Sequence, residues 1–147
     1  MLYIASDHAG YQLKKHLVRY LKTQLKQQVT DLGPDQYDAE DDFPDYATPL
    51  AKKVAKEKNA QGILICGTGH GVCITANKIK GIRAAVGYNI ESAKRARKED
   101  DVNVLCLAGR FLSDEHAASI VKSFLEHAFD NQEKRVRRLK KIEALEK

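Results

Sequence analysis

The run Cys66-Gly67-Thr68-Gly69-His70-Gly71 is the stretch of this chain best equipped to do chemistry. Alternating glycines let peptide N–H groups turn toward one point, and a helix starting just beyond adds its positive end. Such a loop can hold an anion or a developing oxyanion; it can equally be a plain strand-to-helix turn. Cys66 opens it. A thiol beside inward-facing amides and a helix N-terminus is favoured as thiolate, a usable base or nucleophile, and the competing account is a small buried side chain. Ser6-Asp7-His8-Ala9-Gly10 forms a second polar group, in which His8 serves either a ligand or a local cap. His70 faces either substrate or solvent, whereas Cys73 and Cys106 read as core and His16 as surface.

Several chemistries fail on spacing. The glycine run is G-x-G-x-G without a Walker lysine, so it is not a nucleotide fingerprint. A C-x5-R phosphatase loop needs arginine at position 72, where Val72 stands, and a phospho-receiver needs an aspartate where Cys66 stands.

The elements that must position these residues alternate along the chain. Leu2–Ala5 reads as a strand, and Leu13, Leu17, Leu21 and Leu25 at i, i+4 steps form an amphipathic helix with Lys14, Lys15, Lys22 and Lys26 between them. Gln28–Leu32 is the second strand, ended by Gly33-Pro34, and a helix follows, entered through Pro44. Gly62–Cys66 is continuously apolar, as a strand covered on both faces should be. Beyond the glycine loop come a short helix (Val72–Lys78), a strand (Ile82–Val86), a helix (Glu91–Lys98), a strand (Val102–Leu107) and a helix capped by Ser113. The tail from Gln132 is helical, with Val136, Leu139 and Ile142 on one stripe. Five strands alternating with helices predict one domain over 1–147: a three-layer α/β/α fold on a five-stranded parallel sheet of flavodoxin-like order 2-1-3-4-5. Ligands in such sheets sit where the order reverses, here between the first and third strands, so Asp7, His8 and the glycine loop meet there. The last helix, its stripe left over once the sheet is covered, is expected to extend onto a partner subunit, making a homodimer.

Composition is that of an ordinary soluble chain: 147 residues, 43% hydrophobic and 31% charged. No apolar run approaches the ~20 residues of a membrane span, and the N-terminus reads as a strand, not a signal peptide. Three cysteines without a C-x-x-C motif argue against a disulfide framework or zinc site and for a reducing, cytoplasmic setting. The net charge is +5, of which residues 130–147 supply +3 (seven Lys/Arg against four Asp/Glu). No aromatics interleave with this basic segment, so a nucleic-acid partner is not expected. Six carboxylates between Asp35 and Asp45 read as a loop rather than a metal site.

Asp7-His8-Ala9-Gly10, Asp42-Phe43-Pro44-Asp45-Tyr46-Ala47, Ile65-Cys66-Gly67-Thr68-Gly69, Ala76-Asn77-Lys78-Ile79-Lys80-Gly81-Ile82-Arg83-Ala84 and Asn103-Val104-Leu105 occur in an order and spacing that resemble the ribose-5-phosphate isomerase B group of the RpiB/LacA/LacB sugar-phosphate isomerases, over residues 2 to about 142. The resemblance implies a cofactor-free aldose–ketose isomerase acting on D-ribose 5-phosphate through a cis-enediolate, with Cys66 as the base. It implies that the amides of the run Gly67, Thr68, Gly69, His70 and Gly71 hold the enediolate oxygen, that Thr68 and Asp7 lie near the ring oxygen and hydroxyls, and that His8, Arg110 and Arg135 take the phosphate in a pocket completed across a dimer (or within a tetramer). Glu99-Asp100-Asp101 stands where many members have His-Asn-Asp, and Asn131-Gln132 replaces a frequent Arg-His. Glu99 is then the expected ring-opening group and Asp100 its substrate-side neighbour. A longer aldose phosphate such as a hexose 6-phosphate, or a non-catalytic sugar-phosphate-binding role, are the alternative readings.

Overall fold

The computed structural model describes residues 1–146. Five parallel strands, β1 (Leu2–Ser6), β2 (Thr30–Asp31), β3 (Gln61–Cys66), β4 (Ala84–Val86) and β5 (Val104–Ala108), form one sheet. Six helices flank it: α1 (Tyr11–Thr23), α2 (Pro44–Lys56), α3 (His70–Asn77), α4 (Ile90–Asp100), α5 (Asp114–Glu126) and α6 (Glu133–Glu143). This is the three-layer arrangement expected from the alternating pattern, and Ser113 caps α5 through His116 N as its position suggested.

The sheet order is 2-1-3-5-4, which corrects the expected 2-1-3-4-5: the last two strands change places. The reason lies in their side chains. β5 (VLCLA) is buried over its first four residues, whereas β4 has three residues, all half-buried. The strand richer in fully buried apolar surface takes the inner position beside β3, and the short one is left at the edge. The exchange also moves a helix. Right-handed crossovers put a helix on one face when the chain steps one way along the sheet and on the other when it steps back. The steps β1 to β2 and β4 to β5 run the same way, so α1 and α4 share a face, and α2 and α3 take the other.

The core divides accordingly. Leu13, Leu17 and Leu21 of α1, Ala93 of α4 and Ile120 and Phe124 of α5 pack on Ile4, Ile63, Ile65, Leu105 and Leu107. Leu50 and Val54 of α2 with Val72 and Ala76 of α3 pack on Tyr3, Ala5, Leu64, Val104 and Cys106. Successive strand residues alternate between the two clusters, as the pleat requires. β2 is shorter than the expected 28–32 because it has one neighbour, pairing only Tyr3 and Ile4. α6 buries no residue, and its Ile142 is 48% exposed. No helix among the described residues is long and apolar enough to cross a membrane.

Candidate active site

Because β1 and β3 are neighbours in register, with Ser6 beside Ile65, their carboxyl ends open at the same level. Cys66, the last residue of β3, is buried (5% exposed) in the α2–α3 core layer. It packs as a small apolar side chain, and its sulfur lies at the N-terminal end of α3. Gly69 N donates to Sγ at 3.2 Å. Gly69 closes that turn with φ +79°, a conformation that glycine adopts without a Cβ clash.

The rest of the loop is sorted by its hydrogen bonds. His70 N donates to Thr68 Oγ1 (3.2 Å), and Cys73 N to the Gly69 carbonyl, closing the first turn of α3. Two of the five loop amides are thus engaged internally, which leaves at most Gly67, Thr68 and Gly71 to face an incoming oxygen. The side chain of His70 is exposed. A Cβ on Gly71 would stand 2.7 Å from Phe43 Cζ, so the Phe43 ring lies directly over the loop.

Since β5 is next to β3, the segment after it joins the same edge. Gly109 N donates to the Cys66 carbonyl (2.8 Å) and Arg110 N to that of Gly67 (3.0 Å). The Arg110 guanidinium then lies on Gly67, where a Cβ would come within 2.8 Å of Nη1. On the β1 side, Asp7 is 5% exposed and accepts from Gly10 N through Oδ1 (3.1 Å). Burial pushes its carboxyl above the ordinary aspartate value. His8 bonds twice to Asp41 Oδ1, through its peptide N (3.0 Å) and Nδ1 (2.7 Å). That bond raises the imidazole above the usual histidine range. Asp7, His8 and Asp41 bring potential ligand atoms within 4.8 Å of one another, close enough for a shared cation. The 2.7 Å contact is a hydrogen bond, however, so Asp41 Oδ1 and His8 Nδ1 already satisfy one another, with the Arg110 charge nearby.

Glu99, Asp100 and Arg135 lie elsewhere in the protomer. α4 runs antiparallel to the strands, so its last turn sits at their amino ends, roughly 15 Å of helix from its start. There Glu99 pairs with Arg95 (3.0 Å) and Arg135 (3.5 Å), Arg135 also holds Asp130, and Asp100 is exposed. One chain therefore assembles Asp7, His8, Cys66 to Gly71 and Arg110 at one edge of the sheet, and Glu99, Asp100 and Arg135 at the other. The sequence reading missed Asp41 and Phe43 as site residues. Asp41 was hidden as one of six carboxylates between Asp35 and Asp45, with nothing in its residue type to single it out. A cavity of about 410 Å³ at the amino-end edge contains Arg83 and Arg97, but both are clamped on Asp101 and so serve the α4 terminus.

Comparison with known proteins places the chain in a family. The ribose/galactose isomerase family model matches residues 2–142. A probable ribose-5-phosphate isomerase B of Mycoplasma pneumoniae is 50% identical over 129 residues, covering 88% of this chain and 84% of that protein. Its counterpart in Mycoplasma genitalium is 47% identical over 147 residues, covering 99% and 95%. The crystal structure of ribose-5-phosphate isomerase B from Mycoplasma genitalium, with bound ribulose-5-phosphate, superposes with a TM-score of 0.94 at 46% identity, over 99% of this chain and 95% of that one. With the family's model spanning nearly the whole chain and relatives this similar over most of their length, the chain belongs to the ribose/galactose isomerase family.

Proposed function

We propose that this protein interconverts D-ribose 5-phosphate and D-ribulose 5-phosphate. The observation that carries the reading is the Cys66 sulfur, held by Gly69 N at the head of α3 in the cleft between β1 and β3. Asp7 and Thr68 border the same cleft and face the sugar's ring oxygen and hydroxyls. Once the ring is open, the Cys66 thiolate removes the C2 proton; the electron pair moves into a C1–C2 double bond, and the carbonyl oxygen takes up charge beside the loop amides and α3. Cys66 returns its proton to C1 while the proton of the C2 hydroxyl passes to the charged C1 oxygen, which completes the ketose. The reaction is redox-neutral overall, moving one proton between carbons and one between oxygens of the same molecule, so none of these steps requires a cofactor. Each amide aimed at the developing oxyanion typically contributes ~3 kcal/mol. His8 and Arg110, both cationic donors on the same rim, receive the phosphate.

Glu99, Asp100 and Arg135 enter through assembly. We place the amino-end edge of a second copy against this cleft, so that a homodimer brings the partner's Glu99 to ring opening and the partner's Arg135 to the phosphate. A cytoplasmic location accords with three free thiols. Glu99 and Asp100 support a second reading, in which a longer aldose phosphate is the substrate, because carboxylates there disfavour a phosphate drawn in close. Incubation with ribose 5-phosphate in deuterated water, followed by NMR, tests the proposal. Ribulose 5-phosphate carrying deuterium at C1 is expected; turnover of hexose 6-phosphate alone would select the second reading. Binding without turnover of any aldose phosphate would refute both.

A further inference from the structure

We infer that Asp41 is a positioning residue of the anion-binding rim: it fixes the His8 ring as an imidazolium whose Nε2–H is aimed at the substrate phosphate beside Arg110. The inference deepens, and rests on, the sugar-phosphate reading above. Asp41 arrives from the loop before α2, thirty-three residues along the chain from His8. Its Oδ1 accepts from both the backbone and the ring of that residue, at 3.0 and 2.7 Å. Two bonds from one oxygen fix both the position of the main chain and the rotation of the imidazole, and they leave Nε2 as the ring nitrogen for a ligand.

The Asp41 side chain is only 5% exposed, and its Oδ2 is buried without a hydrogen-bond partner among the described residues. A carboxylate so placed has little water to balance its charge. The proton on His8 is its main compensation, which makes the pair a buried acid holding a 27% exposed cation. Every charged group facing His8 enters the balance. Asp41 from the α2 loop and Asp7 from the end of β1 favour the imidazolium; Arg110 from the end of β5 opposes it. Tyr37 adds an edge-on ring contact at 6.2 Å, and Tyr46 is near enough to feel the charges of Asp41, Asp38 and Asp45. Asp41 is therefore what keeps His8 charged next to an arginine, where a lone imidazole would lose its proton first. The sequence could equally have used an uncharged donor at position 8. The arrangement makes sense if the ligand is a doubly charged anion that both cations address together.

The pair separates three roles experimentally. Asp41→Asn keeps the size and one acceptor but removes the charge. With this variant, the KM for ribose 5-phosphate at pH 8 is expected to rise about tenfold or more, the equivalent of one charged hydrogen bond, while kcat falls less than about threefold. The gap should narrow below pH 6, where His8 takes up a proton without help. An unchanged or lower KM would overturn the inference, because Asp41 would then merely repel phosphate. A gap of equal size at every pH would overturn it too, because Asp41 would then be only scaffold. NMR titration of the His8 ring, assigned with His8→Gln, gives a readout independent of turnover: its midpoint is expected to fall by about one unit or more in Asp41→Asn, and an unmoved midpoint refutes the pairing. Should wild type not isomerise ribose 5-phosphate, the parent reading fails, and inorganic phosphate still tests this one through its effect on the His8 resonance. If Asp41→Asn does not fold, His8→Gln alone is expected to raise KM by a similar factor, and a wild-type KM in that variant refutes the role of His8 and with it that of Asp41.

Discussion

Gly67→Ala should disable phosphate recognition without unfolding the protein. Gly67 is buried, and its φ is not left-handed, so alanine's backbone preferences are satisfied there. The obstacle is Arg110: a Cβ would lie 2.8 Å from Nη1, 2.9 Å from Cζ and 3.0 Å from Nε. Comfortable contact begins near 3.5 Å, so the guanidinium must recede by about 0.5–1 Å or swing away. It can do so cheaply, because Arg110 is exposed and the clashing atoms are the far end of a flexible side chain. Arg110 loses its seat, then, while the hydrogen bond that Arg110 N donates to the Gly67 carbonyl survives. A charged hydrogen bond contributes ~1.5–3 kcal/mol, so the KM for ribose 5-phosphate should rise roughly 10- to 150-fold. Steady-state kinetics with a thermal melt provides the assay, and Arg110→Ala the reference. The double variant should be scarcely worse than either single one, since both remove one interaction. A wild-type KM would refute the reasoning, as would a Tm loss beyond a few degrees. The contrast is with Gly10→Ala and Gly109→Ala, whose new Cβ atoms would meet main-chain oxygens at 2.6 Å (Ile65) and 2.8 Å (Ala9). Those atoms cannot swing, and both variants should melt well below wild type.

Three further outcomes are expected. Cys66→Ala should lose nearly all turnover while keeping most of its affinity for sugar phosphate; retention of more than about a tenth of the activity would argue against the thiol as base. Asp7→Asn should raise Tm at pH 8, measured by differential scanning calorimetry. Burial raises the Asp7 carboxyl, so its contribution to stability is present at low pH and is lost as pH climbs through the folded value. The amide removes that late penalty and can still accept from Gly10 N, so the gain should vanish near pH 3, and an equal gain at both pH values would contradict it. Lys14→Ala should cost roughly 2–3 kcal/mol, discounted for an Asp31 that is one-third exposed. Lys14 is 1% exposed and donates to both oxygens of Asp31 and to the Pro34 carbonyl, so urea denaturation showing a loss under 1 kcal/mol would dismiss its role.

Lys14 also marks where the sequence stops being legible. It falls among the lysines of an amphipathic helix, and periodicity assigned it to the solvent side of α1; the segment 31–34, folding over that helix, encloses it instead. Periodicity did find the layers, because buried strands and helix stripes are local patterns. The strand order was less accessible. It depends on a competition between β4 and β5 for the interior position, and each strand looks plausible there when read alone. The glycine loop and Cys66 were recognisable from residue type, since an inward-turning chain of amides needs glycine at fixed spacing. Asp41 and Phe43 were not, for their roles arise from a loop folding back over residues thirty positions away. Glu99 and Arg135 were legible only as a resemblance, and the antiparallel course of α4 decides how far they stand from the thiol in a single chain.

The exchanged positions of β4 and β5 bear on the birth of the molecule. A chain emerging from the ribosome makes β3 before β5, yet β5 is the only strand that covers the outer side of β3. Until residues 104–108 have been synthesised, the middle of the nascent sheet has a naked edge, with β4 waiting for a neighbour that comes after it. The wall carrying the thiol and the wall carrying Arg110 can meet only at that late moment. The two walls thus cannot come together before the sheet closes, and a chain stopped short of residue 104 would have neither the closed sheet nor the paired walls.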